Sequence, residues 1–87
     1  MGVTKMKAIM TKYLGPTDRR GSRIKATDSD GNNLVQGYDS ALNSDDNHKA
    51  AAKALRDKMG WKGRMIGGWV GNEMAFVFED GRYEIPA

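Results

Sequence analysis

One segment of this chain, Ser44 to Met59, repeats its apolar residues at helical period, while the sequence on both sides alternates with a period near 2. His48, Ala51, Ala52, Leu55 and Met59 fall on one stripe at i, i+3 and i+4 spacing, and Lys49, Lys53, Arg56 and Lys58 lie largely on other faces. Ser44 is the expected N-cap, and Asp45 and Asp46 put negative charge at the positive end of the helix dipole. Gly60 stands where a left-handed cap is needed, with Trp61 placed to fold back onto Leu55. A single helix between two groups of strands, in 87 residues, predicts one α+β domain spanning residues 1–87, with the helix packed on one face of an antiparallel sheet of five to six strands.

The strands follow from alternation and turn chemistry. Lys5 to Leu14 predicts the first, with Ile9 and Tyr13 on one face and Met6, Ala8 and Met10 on the other. Gly15-Pro16-Thr17-Asp18 breaks it. Ser22 to Asp28 predicts a second, with Ile24 and Ala26 inward and Arg23, Lys25 and Thr27 outward, the pattern of a strand with one wet face. The turn Asp28 to Asn33 then joins it in a hairpin to a third strand at Leu34 to Asp39. Beyond the helix, Arg64 to Val70 predicts a fourth strand, weakened by Gly67-Gly68. Met74 to Glu79 predicts a fifth, whose nearly continuous apolar run suggests a central position. Asp80-Gly81 reads as a tight hairpin leading to a short edge strand at Arg82 to Ile85, stopped by Pro86. Such an edge is a candidate for pairing with a second copy, so the expected state is a monomer or an edge-strand homodimer.

Composition excludes several chemistries. The chain has no cysteine, which removes disulfides, thiolate zinc sites and cysteine nucleophiles. No stretch approaches the ~20 apolar residues of a membrane span, and residues 1–10 contain no apolar run of signal-peptide length. A cytoplasmic setting with no membrane partner is expected. The single histidine, His48, has no second histidine or serine motif to work with, so a structural role is favoured over general-base chemistry. Asp28, Asp30, Asn32 and Asp39 fall at positions 1, 3, 5 and 12 of a calcium-loop-like spacing, but the glycine is misplaced and no helices flank the loop. An ordinary hairpin turn is the favoured reading. Met74-Ala75-Phe76-Val77 resembles part of the aromatic strand motif of RNA-recognition modules, without its lead residues, and reads better as a core strand. The expectation is therefore no catalytic site, no metal and no cofactor.

Charge is distributed in blocks. Residues 1–27 carry Lys5, Lys7, Lys12, Arg19, Arg20, Arg23 and Lys25 against Asp18 alone, whereas residues 28–48 carry Asp28, Asp30, Asp39, Asp45 and Asp46 with no Lys or Arg. The acidic five are candidates for pairing with basic residues of a partner protein. Lys12, Arg19, Arg20, Arg23 and Lys25 are the alternative site, contacting nucleic-acid phosphates, with Tyr13 or Trp69 offering a stacking face. Trp69 is in either case the candidate aromatic anchor, and Trp61 is assigned to the core.

Taken together, YLGPT with RGSRIKA, the YDSALN turn into the helix, and the Gly-Gly strand followed by MAFVF resemble a group of small single-domain proteins of bacteriophages, plasmids and other mobile elements, over roughly residues 7 to 79. That resemblance carries no catalytic residue over to this chain. It implies a setting in which small accessory proteins bind host defence complexes such as CRISPR effectors or restriction enzymes. The expectation drawn from it is an anti-CRISPR-like inhibitor that occludes a nucleic-acid-handling surface in a bacterial host cell. The alternative is a small basic protein that binds nucleic acid directly.

Overall fold

The computed structural model describes residues 7–79 and 85–87. Five strands, β1 (Ala8–Leu14), β2 (Arg23–Asp28), β3 (Asn33–Gly37), β4 (Met65–Val70) and β5 (Glu73–Phe78), form one sheet, with the helix α1 (Ser44–Lys58) between β3 and β4 in the chain. The order across the sheet is β3-β2-β1-β5-β4, and every neighbouring pair is antiparallel. This is the β-β-β-α-β-β α+β arrangement expected from the sequence. β5 is interior, paired on both sides, as its apolar run suggested. The proposed strand from Arg82 lies, apart from Ile85, outside the described residues, as does the Asp80-Gly81 turn.

The helix packs chiefly on β1, β2 and β3. Its small Ala51 and Ala52, with Leu55, press onto Ile9, Ile24, Ala26, Met74 and Phe76 to form the core, and Leu34, Tyr38, Met59, Trp61 and Met65 pack around it. Alternation places Ile9, Thr11 and Tyr13 of β1 on the helix side and Ala8, Met10, Lys12 and Leu14 on the other, in line with the period-2 reading. Among the described residues no helix lies on the opposite face of the sheet.

Both ends of α1 are closed by specific chemistry. The N-cap is Asn43, one residue before the expected Ser44: its side chain accepts the Asp46 N–H at 2.8 Å. Asn and Ser are comparable caps, so the sequence offers no local basis for choosing between the neighbours. At the other end Gly60 adopts φ +73°, and the Trp61 and Gly60 N–H groups bond the Arg56 and Asp57 carbonyls, the paired bonds of a Schellman motif. Trp61 then folds onto the core as anticipated.

Asn47 is the residue that fixes the β3–α1 connection. Buried to 2 % exposure, it accepts the Asp39 N–H at 2.8 Å and donates to the carbonyls of Asp39, Leu42 and Asn43. One amide thus holds three loop residues. In β4, Gly67 faces Phe76 across the ladder, and a Cβ there would lie 2.5 Å from the Phe76 ring. The glycine that weakens the strand in sequence makes room for a core aromatic in space.

Two stability outcomes follow. Asn47→Ala leaves several loop polar groups without partners and is expected to cost about 2–4 kcal/mol in urea unfolding. Gly67→Ala forces the buried Phe76 ring aside and is expected to cost about 1–3 kcal/mol, whereas Gly68→Ala, which meets nothing within 4 Å, is expected to cost far less.

Candidate functional site

The open face of the sheet is where the basic sequence block comes together. Lys12 and Lys25 are Cα partners on β1 and β2, Arg23 lies two residues along β2 from Lys25, and all three sit on the side away from α1. Directly opposed like charges are unfavourable in a sheet, and no carboxylate among the described residues forms an ion pair with Lys12, Arg23 or Lys25. The Arg23 Nε donates to the Gly21 carbonyl. Arg19 and Arg20 are exposed in the β1–β2 loop at the same end as Arg23; Thr17 Oγ1 accepts the Arg20 N–H at 3.1 Å and gives the loop its shape. Lys7 departs from this group. It lies on the helix side, paired with Asp30 and 6.0 Å from the centre of the Trp61 ring. Lys5 lies outside the described residues.

Toward β4, and apart from Glu73, the open face is apolar or small. Met10, Ala75 and Gly68 form one row across β1, β5 and β4, and Ala8, Val77 and Ile66 form the next. Ile66 is 53 % and Val70 60 % exposed. Glu73 stands between the two halves, in register with Lys12 on one side and Val70 on the other.

The acidic block, by contrast, divides. Asp28 and Asp30 sit at the β2–β3 turn, while Asp39, Asp45 and Asp46 lie near the N-terminal end of α1, about 17 Å away along β3. Most of these carboxylates have local work. Asp28 accepts the N–H groups of Asp30 and Asn32 and the Asn32 side chain, and the Asn32 bond holds its carboxyl below the usual range. Asp30 pairs with Lys7, Asp39 accepts the Ala41 N–H, and Asp46 lies 3.7 Å from Lys49. The calcium-like spacing therefore resolves into a hairpin turn: Asp39 is at the far end of β3 from the others. Among the described residues no group of His and carboxylates is disposed to hold a metal ion.

The aromatic candidates lie on the other side. Tyr13 shares a hydrogen bond with Ser22 and meets Tyr38 edge-on at 5.6 Å. Trp69 is 47 % exposed, with its inner edge against His48 at 5.0 Å between ring centres. The sequence reading that combined Tyr13 or Trp69 with Lys12 and Lys25 in one site is corrected: strand alternation sends rings and cations to opposite faces. Phe76, the aromatic of the RNA-recognition-like tetrapeptide, is buried in the core on the helix side of the sheet, as a core strand requires.

His48 is buried in the helix–sheet interface, its Nδ1 2.6 Å from Thr11 Oγ1. Thr11 is fully buried, so this pair presents no nucleophile to a substrate. A shallow depression of about 280 Å³ near the end of α1 is lined by Arg56, Asp57, Gly60, Trp61, Lys62 and Gly63. Its arginine is committed to Asp57 and to the Gly63 carbonyl. No helix among the described residues is long and apolar enough to cross a membrane. No protein-family model, curated protein or solved structure matches the chain.

Burial holds the His48 imidazole below its ordinary value, with Asp45 opposing the shift. The unfolded chain takes up this proton near pH 6.5, where the folded chain does not. Stability is therefore intact above about pH 6.5 and declines as pH falls toward the folded value. Melting temperature is expected to drop between about pH 7 and pH 5, and His48→Gln is expected to flatten that limb; an unchanged profile in the variant would refute the assignment.

Proposed function

We propose that this protein is a non-enzymatic nucleic-acid-binding protein that contacts phosphates through the open face of its sheet. The observation that carries the reading is that, among the described residues, Lys12, Arg23 and Lys25 converge without ion-pair partners on a face that no helix covers. Arg19 and Arg20 extend the basic surface into the adjoining loop. Guanidinium and ammonium groups on a rigid sheet neutralise phosphates and release their counterions, which gives affinity without base recognition. The net charge of +3 acts in the same direction by attracting a polyanion. A cytoplasmic location in a bacterial host belongs to this reading.

A second reading, an inhibitor that binds a host defence complex in the manner of an anti-CRISPR protein, draws support from the exposed apolar rows of the same face. Ile66, Val70 and Val77 beside a basic rim suit a protein interface better than a phosphate backbone. The acidic contribution to such an interface comes from Asp39, Asp45 and Asp46 at one end of the molecule; Trp69, half-exposed on the helix side against His48, stands apart from the apolar rows and anchors a partner only if it wraps that end.

Fluorescence anisotropy with labelled nucleic acid separates the two. Under the first reading affinity falls steeply with salt, and Lys12→Ala with Lys25→Ala, in a chain that still folds, lowers the slope of log K against log salt by about 2. An affinity for nucleic acid that ignores salt, or that survives the double substitution with its slope unaltered, would sink the first reading. Retention of a defence effector on the immobilised protein, lost on Ile66→Lys and Val77→Lys and kept in the double-alanine variant, would establish the second.

A further inference from the structure

Resting on the nucleic-acid reading, we infer that the ligand is a duplex held by its phosphate backbone, not a single strand, and that Glu73 marks where the phosphate track ends. The six aromatic side chains among the described residues, Tyr13, Tyr38, Trp61, Trp69, Phe76 and Phe78, all lie on the helix side of the sheet, in contact with the core, with one another or with His48; Tyr13 and Trp69 are about half exposed, but on that side. Binding of single strands draws on bases stacked upon rings beside a cationic groove. Here the cations and the rings are separated by the thickness of the sheet. A strand seated on Lys12 and Lys25 meets Met10, Ala75 and Thr27 as its neighbours, none of which offers a π-face.

The cation spacing favours the denser polyanion. Lys12 and Lys25 are about 5 Å apart at their Cα atoms, and Arg23 is about 7 Å from Lys25 along β2. A duplex presents about one charge per 1.7 Å of its axis, so a rigid cluster of three cations meets several phosphates at once. Glu73, the cross-strand neighbour of Lys12 on β5, repels phosphate and confines the backbone to the β1–β2 half of the face, toward Arg23 and the Arg19-Arg20 loop.

The test titrates the full chain with labelled DNA and RNA duplexes of roughly 20 base pairs, and with each constituent single strand, at low and moderate salt. The expected result is duplex binding at least about tenfold tighter than single-strand binding. Glu73→Gln should tighten the duplex complex about twofold or more, with Lys12→Ala plus Lys25→Ala abolishing the difference between duplex and single strand. Comparison of the DNA and RNA arms identifies which duplex is held. Single strands bound as tightly as duplex would overturn this inference while leaving the nucleic-acid reading standing. An unchanged affinity in Glu73→Gln would overturn the boundary role. No binding to any of the probes by folded protein would overturn the underlying reading itself.

Discussion

The contact between the Ala51-Ala52-Leu55 stripe of α1 and the Ile9-Ile24-Ala26 surface of β1 and β2 creates the only two-layered region among the described residues. Two alanines at the seam allow the helix to sit low on the sheet, and the β-branched Ile9 and Ile24 fill the space beneath it. A small domain removes only about 60–65 % of its extended-chain surface from water, and the described residues hold no second core to compensate for losing this one. Everything else in the molecule is arranged around the choice it enforces, with one face of the sheet dry and one wet.

Polar groups inside that seam are few and individually satisfied. Asn47 secures the loop by which the chain turns from β3 into the helix, and His48 bonds Thr11 across the layer boundary. Among the described residues no buried side-chain nitrogen or oxygen is left without a partner. Such groups add directional constraint to a core made largely of small and branched residues, since a shift of the helix along the sheet breaks several bonds together. The helix axis, and with it the identity of the covered face, is thereby held.

The wet face inherits its character from the residues that alternate with the core. Met10, Lys12, Arg23 and Lys25 are outward because Ile9, Thr11, Ile24 and Ala26 are inward. The same rule carries the aromatic rings away from the cations. Where a functional surface and a core share one set of strands, the composition of each limits that of the other: among the described residues, the rings that alternate onto the helix side are absent from the face that carries the cations.

Much of this was readable from local pattern. Period-2 alternation separated Ile9 and Tyr13 from Met10 within the first strand, and Ile24 and Ala26 from Arg23 and Lys25 within the second, and the 3.6 period with Gly60 located α1 and its left-handed end. These features depend on neighbours within a few residues, which a linear chain displays directly. Strand order does not. That β5 inserts between β1 and β4, that Glu73 comes to stand beside Lys12, and that Asp28 and Asp30 end far from Asp39, Asp45 and Asp46 are consequences of long-range pairing. Asn47 escaped notice for a related reason: a lone polar residue beside an apolar stripe looks solvated until the loop it binds folds over it. The sequence alone determined which residues share a strand face, because backbone geometry imposes that alternation locally. Only the tertiary structure decided which faces meet, because burial of α1 is a contest among all surfaces of the chain at once.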